Sequence, residues 1–428
     1  MSSIKNTNPQ KGMRDILPKQ VELRNFVSNS VLNVYKKYGF LQIETPSLDG
    51  MEILSNGEGG ENEKMLFKVL KRGEKLDLTN VENENSLVDM GLRYDLTVPL
   101  CRFYANNKEQ LPSIFKVIQF GDVWRAERQQ KGRFRQFKQC DIDIIGVKDV
   151  GVETELILAT SEALLGLGFK NFKVRINDRR ILSGLVKYCG FAEADYNKVF
   201  IILDKLAKIG IEGVKQELGE AGFSADMINS MIQVVEKITK KEISIENIGE
   251  AIQGIDGKII QDLKSVIEAV SKQTDNKYSI SLDISLVRGM GYYTGQIFEI
   301  EVGDYGISIA GGGRYDNLIG RFLDKVSIPA CGFSIGFERV ISIMEEQNFQ
   351  IPKAKNKIVL VYNKEDTSEV NNIFSLAQEL RQEGNVVLVE EKSNNLKGQL
   401  DKLMEQGFDS FATFAKDKEL EIKALGQK

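Results

Sequence analysis

FKVIQFGDVWRAERQQKGRFRQFKQCDIDIIG, residues 115–146, holds two strand-like runs around a basic centre. FKVIQFGDVW and QFKQCDIDIIG are rich in β-branched and aromatic residues, and each is long enough for a full strand. Between them, WRAERQQKGRFRQFK (124–138) carries six Lys or Arg against one Glu. The arrangement predicts a long antiparallel hairpin with a basic tip. Taken alone, such a tip is a solvated charged loop.

Upstream of the hairpin, Leu23, Phe26, Val27, Val31, Val34, Tyr35 and Tyr38 recur at helical spacing, and Gly39 ends the pattern. FLQIETPSL (40–48) reads as a strand, with Pro46 suited to its end. NGEGGENEK (56–64) reads as a loop. Downstream, helical patterns cover about 152–168 and about 180–272, so 180–275 is expected to be a helical insertion. Strand signals resume in YSISLDISLVRG, QIFEIEV and GISIAGGG, and CGFSIGFERVISIMEE (331–346) passes from strand to helix. The expected core is therefore α+β, built on an antiparallel sheet. QNFQIPKAKNK (347–357) reads as a linker. Beyond it IVLVY, VVLVEE and SFATF alternate with helical patterns near 366–384 and 394–406, as in a small α/β domain.

Composition narrows the chemistry. The 428 residues exceed what one core usually serves, so two or three domains are expected. A net charge of −4 argues against a protein that coats nucleic acid nonspecifically. With no histidine in the chain, a protein imidazole is excluded as base, nucleophile partner or metal ligand. Cys101, Cys140, Cys189 and Cys331 are scattered, with neither a disulfide framework nor zinc spacing, and read as reduced thiols. No apolar run approaches the roughly 20 residues that cross a bilayer, and a cytoplasmic location is the expectation.

The hairpin and the strand–helix unit together resemble the second and third signature motifs of class II aminoacyl-tRNA synthetases. SLVRGMGYYTGQIFEI (285–300) looks like the peptide found in histidyl-tRNA synthetases and not in class II relatives such as those for threonine or proline. KGMRDILP (11–18), LRYDLTVPL (92–100), GRFRQFKQCDIDIIG (132–146) and AGGGRYDNL (310–318) support that family, over most of residues 10–420. One F-x-x-x-R or G-x-E-R string means little; the order and separation of several mean much more.

The resemblance implies a class II catalytic core over residues 1–350 and an anticodon-binding α/β domain over 355–428. The last strand is expected near 419–424, and a closing helix that relatives often carry is expected to be absent. It also implies activation of L-histidine by ATP, with Mg²⁺, and transfer to tRNA(His). By the same resemblance Arg125, Glu127, Phe137 and Arg339 hold ATP, with Arg125 and Arg288 acting catalytically on either side of the α-phosphate. Asp95, Thr97 and Gln139 surround the substrate ammonium, Asp143 and Tyr293 address the imidazole, Tyr292 lines the same pocket and Arg288 meets the carboxylate. Gln129, Gln130, Lys131, Arg133 and Arg135 meet the tRNA acceptor end. No metal-ligand cluster is expected. The helix at about 20–38 and the strand after it resemble the family's dimer-forming element, implying a twofold homodimer. The alternative is the synthetase-like regulatory subunit of ATP phosphoribosyltransferase. Such paralogues usually lose the anticodon domain and parts of the catalytic peptides, whereas Arg125, Arg288, Arg339 and the C-terminal α/β domain are all present here.

Overall fold

The structure is a computed structural model that describes residues 6–55, 65–128, 134–240, 244–287, 291–323, 326–352, 356–363, 370–414 and 420–426. By its contacts the chain divides into two compact units: Met1–Arg14 with Val27–Glu345, and Asp15–Phe26 with Glu346–Lys428.

The first part of the chain forms α1 (Pro18–Lys37), β1 (Leu41–Gln42), β2 (Leu48–Gly50), α2 (Met51–Leu54), β3 (Lys68–Leu70) and β4 (Val88–Leu92). Next come α3 (Thr97–Asn107), the hairpin strands β5 (Phe115–Trp124) and β6 (Gln136–Ile145), α4 (Gly151–Gly166) and β7 (Phe172–Asp178). A helical stretch follows: α5 (Arg179–Tyr188), α6 (Tyr196–Leu203), α7 (Leu206–Glu220), α8 (Ala225–Thr239), α9 (Ile248–Ala251) and α10 (Gly257–Ser271). The unit closes with β8 (Tyr278–Leu282), β9 (Gln296–Val302), β10 (Ile307–Arg314), β11 (Ala330–Ile335) and α11 (Phe337–Glu346).

Eight strands form the main sheet in the order β1-β5-β6-β11-β10-β9-β7-β8. The six from β5 to β7 pair antiparallel, and each outer strand is parallel to its neighbour. β6 lies well inside the sheet, and Cys140–Ile145 are all buried. One face is covered by α4, which packs on β6 and β11, and by α10, which packs on β7 and β8. The opposite face is left to hold a site.

Two local readings of the sequence are corrected. The stretch 40–48 is not one strand: β1 belongs to the main sheet, whereas β2 joins a separate antiparallel sheet with β4 and β3. Between them Pro46 has no N–H to pair, and Arg93 Nη1 donates to the Thr45 carbonyl at 2.7 Å. The second is β7, which occupies a gap left between two helical patterns. Its Phe172, Val174 and Ile176 are buried and alternate with exposed Lys173 and half-buried Arg175, a period of two too short to stand out between helices.

The second unit carries β12 (Lys357–Tyr362), α12 (Val370–Gln382), β13 (Val386–Glu391), α13 (Leu396–Glu405), β14 (Ser410–Thr413) and β15 (Lys423–Ala424). β12 is central, parallel to β13 and β14, and β15 runs antiparallel to β14. Ile358 and Leu360 pack with Ile373 and Ala377 of α12, while Val359 and Val361 pack with Leu403 of α13. A strand covered on both faces has to be apolar throughout, which explains KIVLVY. Phe349, within the stretch expected to be a linker, instead packs against Phe26 with ring centroids 5.6 Å apart.

Candidate active site

A cavity of about 470 Å³ opens on the uncovered face of the main sheet, within the usual range of small-molecule clefts. Asp95 and Thr97 reach it from the start of α3, and Arg125 and Glu127 from just beyond β5. Phe137, Gln139 and Asp143 project from β6, Tyr292 and Tyr293 from the segment before β9, and Arg339 from α11. Residues 200 positions apart in sequence are thus brought together by one sheet. Arg288, Gln129, Gln130, Lys131 and Arg133 lie outside the described residues.

Strand register explains the arrangement on β6. Residues 137, 139, 141 and 143 share one face because successive side chains alternate. Asp143 pairs across β6–β11 with Gly332, where a Cβ would lie 2.0 Å from Asp143 Oδ1. Only glycine leaves the carboxylate its place. Asp143 Oδ1 accepts a 2.6 Å hydrogen bond from the Tyr315 hydroxyl, while Oδ2 has no hydrogen-bond partner in the structure. Burial, offset in part by the Tyr315 bond, raises the Asp143 carboxyl to about 7.

Asp95, two residues before α3, accepts from the Val98 N–H at 3.0 Å, and burial raises its carboxyl despite that bond and nearby Arg125. Burial and then the neighbouring Asp143 hold Asp141 well above the usual carboxylate range. The aromatic wall is continuous: Tyr292 meets Tyr293 edge-on at 5.0 Å and Tyr315 at 5.9 Å. This half of the cavity is an acidic, aromatic-lined pocket suited to a small cation.

The pH dependence of stability follows from Asp143. Its proton stays on the folded protein well above about 3.9, the value for an unfolded aspartate. Its contribution to stability is therefore present below that pH and lost as pH rises to about 7. In thermal melts of the ligand-free protein, wild type is expected to lose stability relative to Asp143→Asn across this window, by up to about 4 kcal/mol. Parallel curves for the two proteins would contradict the assignment.

The other half of the cavity carries guanidinium groups. Arg125 donates through Nε to the Tyr94 carbonyl at 3.2 Å, with its guanidinium carbon 4.2 Å from the Tyr94 ring centroid and 5.0 Å from that of Phe137. Arg339 Nη1 donates to the Ser308 carbonyl at 2.5 Å. Arg135, half-buried, donates through Nε to the Glu127 carbonyl and through its backbone N–H to the Gly12 carbonyl. The base of the hairpin is thereby braced by the segment at 12–14. Arg14 completes the brace, pairing with Glu338 at 2.6 Å and lying 4.0 Å from the Phe134 ring centroid.

Arg14, Asp141, Tyr315, Ser334 and Glu338 escaped the sequence reading, although all but Arg14 line the cavity. Asp141 had a usable signal in its place midway between Gln139 and Asp143 on the same strand face. Arg14 and Tyr315 lie inside KGMRDILP and AGGGRYDNL, where nothing local marks their partners.

The segment just before Arg288 is well anchored. Asn177 Nδ2 donates to the carbonyls of Ile284 and Leu286 at 3.3 and 2.9 Å, and Arg179 Nη1 donates to that of Val287 at 3.3 Å. All four cysteines are buried free thiols. Among the described residues no group of three or more Cys, Asp or Glu could hold a metal ion, and no helix is long and apolar enough to cross a membrane.

Comparison with known proteins names the family. Residues 12–340 match the family model described as histidyl-tRNA synthetase. The histidine–tRNA ligase of Leifsonia xyli is 42% identical over 413 residues, covering 94% of each chain. The chain belongs to the histidyl-tRNA synthetase family. The histidine–tRNA ligase of Cytophaga hutchinsonii is 34% identical over 389 residues, covering 87% of this chain and 84% of its own. Among solved structures, histidyl-tRNA synthetase from Nostoc matches with a TM-score of 0.77 at 25% identity, over 98% of this chain and 95% of that one. A Bacillus halodurans protein described as an ATP phosphoribosyltransferase regulatory subunit/histidyl-tRNA synthetase matches with a TM-score of 0.74 at 20% identity, over 94% of this chain and 97% of that one, a likeness of fold. Family membership thus agrees with the class II core and with the eight-stranded sheet that carries the cavity.

Proposed function

We propose that this synthetase-family chain is a histidine–tRNA ligase that joins L-histidine to ATP as histidyl-adenylate and transfers the histidyl group to the 3′ end of tRNA(His). The observation that carries the reading is one cavity lined by Asp95, Gln139 and Asp143, suited to a small cation, and by Arg125 and Arg339, suited to an anion.

In this reading Asp95, Thr97 and Gln139 receive the α-ammonium. Asp143, oriented by Tyr315, receives a ring N–H, with Tyr292 and Tyr293 enclosing the imidazole. Phe137 stacks on adenine, Glu127 accepts from its amino group, and Arg339 meets the phosphates. The histidine carboxylate attacks the α-phosphorus, a new P–O bond forms, and pyrophosphate leaves. Arg125 and Arg288 stabilise the charge that gathers on the phosphoryl oxygens. A carboxylate is already ionised at neutral pH, so no general base is needed, consistent with a chain lacking histidine. In the second step a tRNA ribose hydroxyl attacks the activated carbonyl, its proton passes to a phosphate oxygen of the adenylate, and AMP departs.

Mg²⁺ would accompany ATP. Among the described residues no group of three or more Cys, Asp or Glu could hold it. The hairpin tip, residues 129–135, would meet the acceptor end of the tRNA. The β-α-β-α-β part of the second unit would meet the anticodon. A homodimer formed through the region of α1, working in the cytoplasm beside the translation machinery, completes the proposal.

Histidine-dependent ATP–pyrophosphate exchange, followed by charging of a tRNA(His) transcript, tests it in wild type and in Arg288→Ala. Both activities are expected in wild type and largely lost in the variant. A folded wild-type protein without exchange would favour the regulatory-subunit alternative, and unimpaired exchange in the variant would remove Arg288 from its role.

A further inference from the structure

The acidic half of the cavity offers more acceptors than these assignments use. Gln139, Asp141 and Asp143 leave one face of β6 at intervals of about 7 Å, and each ends in a buried oxygen without a partner: Gln139 Oε1, Asp141 Oδ1 and Asp143 Oδ2. Asp141 is only 4% exposed and lines the cavity. A buried acceptor left unpaired is costly, so three in a row point to a ligand rich in N–H donors.

Ser334 of β11, opposite Asp141 in register, fixes how this corner is oriented. Gln139 Nε2 donates to Ser334 Oγ at 3.4 Å, and the serine hydroxyl bonds in turn to the Asp141 carboxylate. The amide's donor end is therefore turned toward β11, leaving its carbonyl and Asp141 Oδ1 as acceptors. Donor counting then separates the two ends of the proposed substrate. An imidazole has at most two N–H groups, and Asp143 Oδ2 is placed for one of them. An ammonium has three, and Asp95 already uses part of its carboxylate on the N–H groups of Thr97 and Val98.

We propose that Asp141 is a further specificity-determining residue, its carboxylate taking one hydrogen of the substrate α-ammonium beside Asp95 and Gln139. This deepens the histidine reading and rests on it. The electrostatics agree. Asp141 lies among Asp95, Asp143 and the cations Arg125 and Arg93. Burial and Asp143 resist its ionisation until a further cation arrives.

Two ligand fragments separate the possible roles. Histidinol keeps the ammonium and imidazole, and imidazolepropionate keeps the ring and carboxylate but lacks the ammonium. Binding of each to the full chain is measured by calorimetry for wild type and Asp141→Asn, which keeps the side chain's shape and an acceptor for Ser334. Asp141→Ser gives the same comparison should the amide not be accommodated. Histidinol is expected to weaken about tenfold or more and the KM for histidine to rise by a similar factor, while imidazolepropionate affinity and the KM for ATP stay within about twofold. Unchanged histidinol binding, or equal weakening of both fragments, would overturn the assignment. Failure of the wild-type protein to bind either fragment would overturn the histidine reading, and this inference with it.

Discussion

Arg125→Ala is expected to slow histidine-dependent ATP–pyrophosphate exchange by about 100- to 1,000-fold while leaving the melting temperature close to that of wild type. The guanidinium is held before any ligand arrives, by the Tyr94 carbonyl and by the rings of Tyr94 and Phe137. It therefore requires little reorganisation when charge develops at phosphorus. Truncation removes a half-buried group from the cavity wall; Asp95 and Asp141 lose a nearby cation, but burial already holds both carboxyls above the usual range, so stability changes little. Arg125→Lys should recover only part of the rate, because a point-like ammonium cannot lie flat between two rings and still present a planar fork. Exchange within about threefold of wild type in Arg125→Ala would remove this residue from the chemistry.

The largest loss of stability is expected from Glu153→Ala, about 3–5 kcal/mol in denaturant unfolding of the full chain. Glu153 of α4 is fully buried and receives two hydrogen bonds from Arg314, at 2.7 and 2.8 Å. The rest of the guanidinium meets the carbonyls of Val147 and Asp149 and the carboxylate of Asp316. Without Glu153 a nearly buried cation loses its principal counter-charge. Its effect reaches the cavity, because the Arg314 carbonyl accepts from the Thr294 N–H at 2.8 Å and Tyr315 is the next residue. The KM for histidine should therefore rise in the same variant. Replacing both partners with apolar residues of similar volume, Glu153→Leu with Arg314→Met, should restore much of the stability. A single-variant loss below about 1 kcal/mol would mean that solvent screens the pair.

The sequence made the hairpin legible because β5 and β6 are long and apolar, with a compact basic interruption. It made Gln139 and Asp143 legible through family motifs, and period-two spacing then put them on one face. Residues whose role depends on another strand were harder to read. Tyr315 matters because β10 brings its hydroxyl to Asp143, and nothing local to AGGGRYDNL states that partner. Glu153 looks like an ordinary helical glutamate until α4 is laid against Arg314. Pro46 was read as a strand end, although it marks the passage of the chain from one sheet to another. Arg135 stands out in the sequence only as part of a basic run; that its Nε and backbone N–H also brace the hairpin base depends on Gly12 and Glu127, which the run does not reveal.

Gly332 has a consequence for anyone wishing to redirect the pocket to a different amino acid. A methyl group at 332 would occupy the space of the Asp143 carboxylate, so a library diversified there would mostly return molecules that have expelled the acid rather than molecules with a reshaped floor. Variation at Tyr293, whose side chain lines the wall, changes the cavity away from the Tyr315–Asp143 bond, whereas Tyr292 packs on Tyr315 and bears on that bond. The routes by which this site can acquire a new preference therefore run through its walls, with the floor held constant by an atom that is absent.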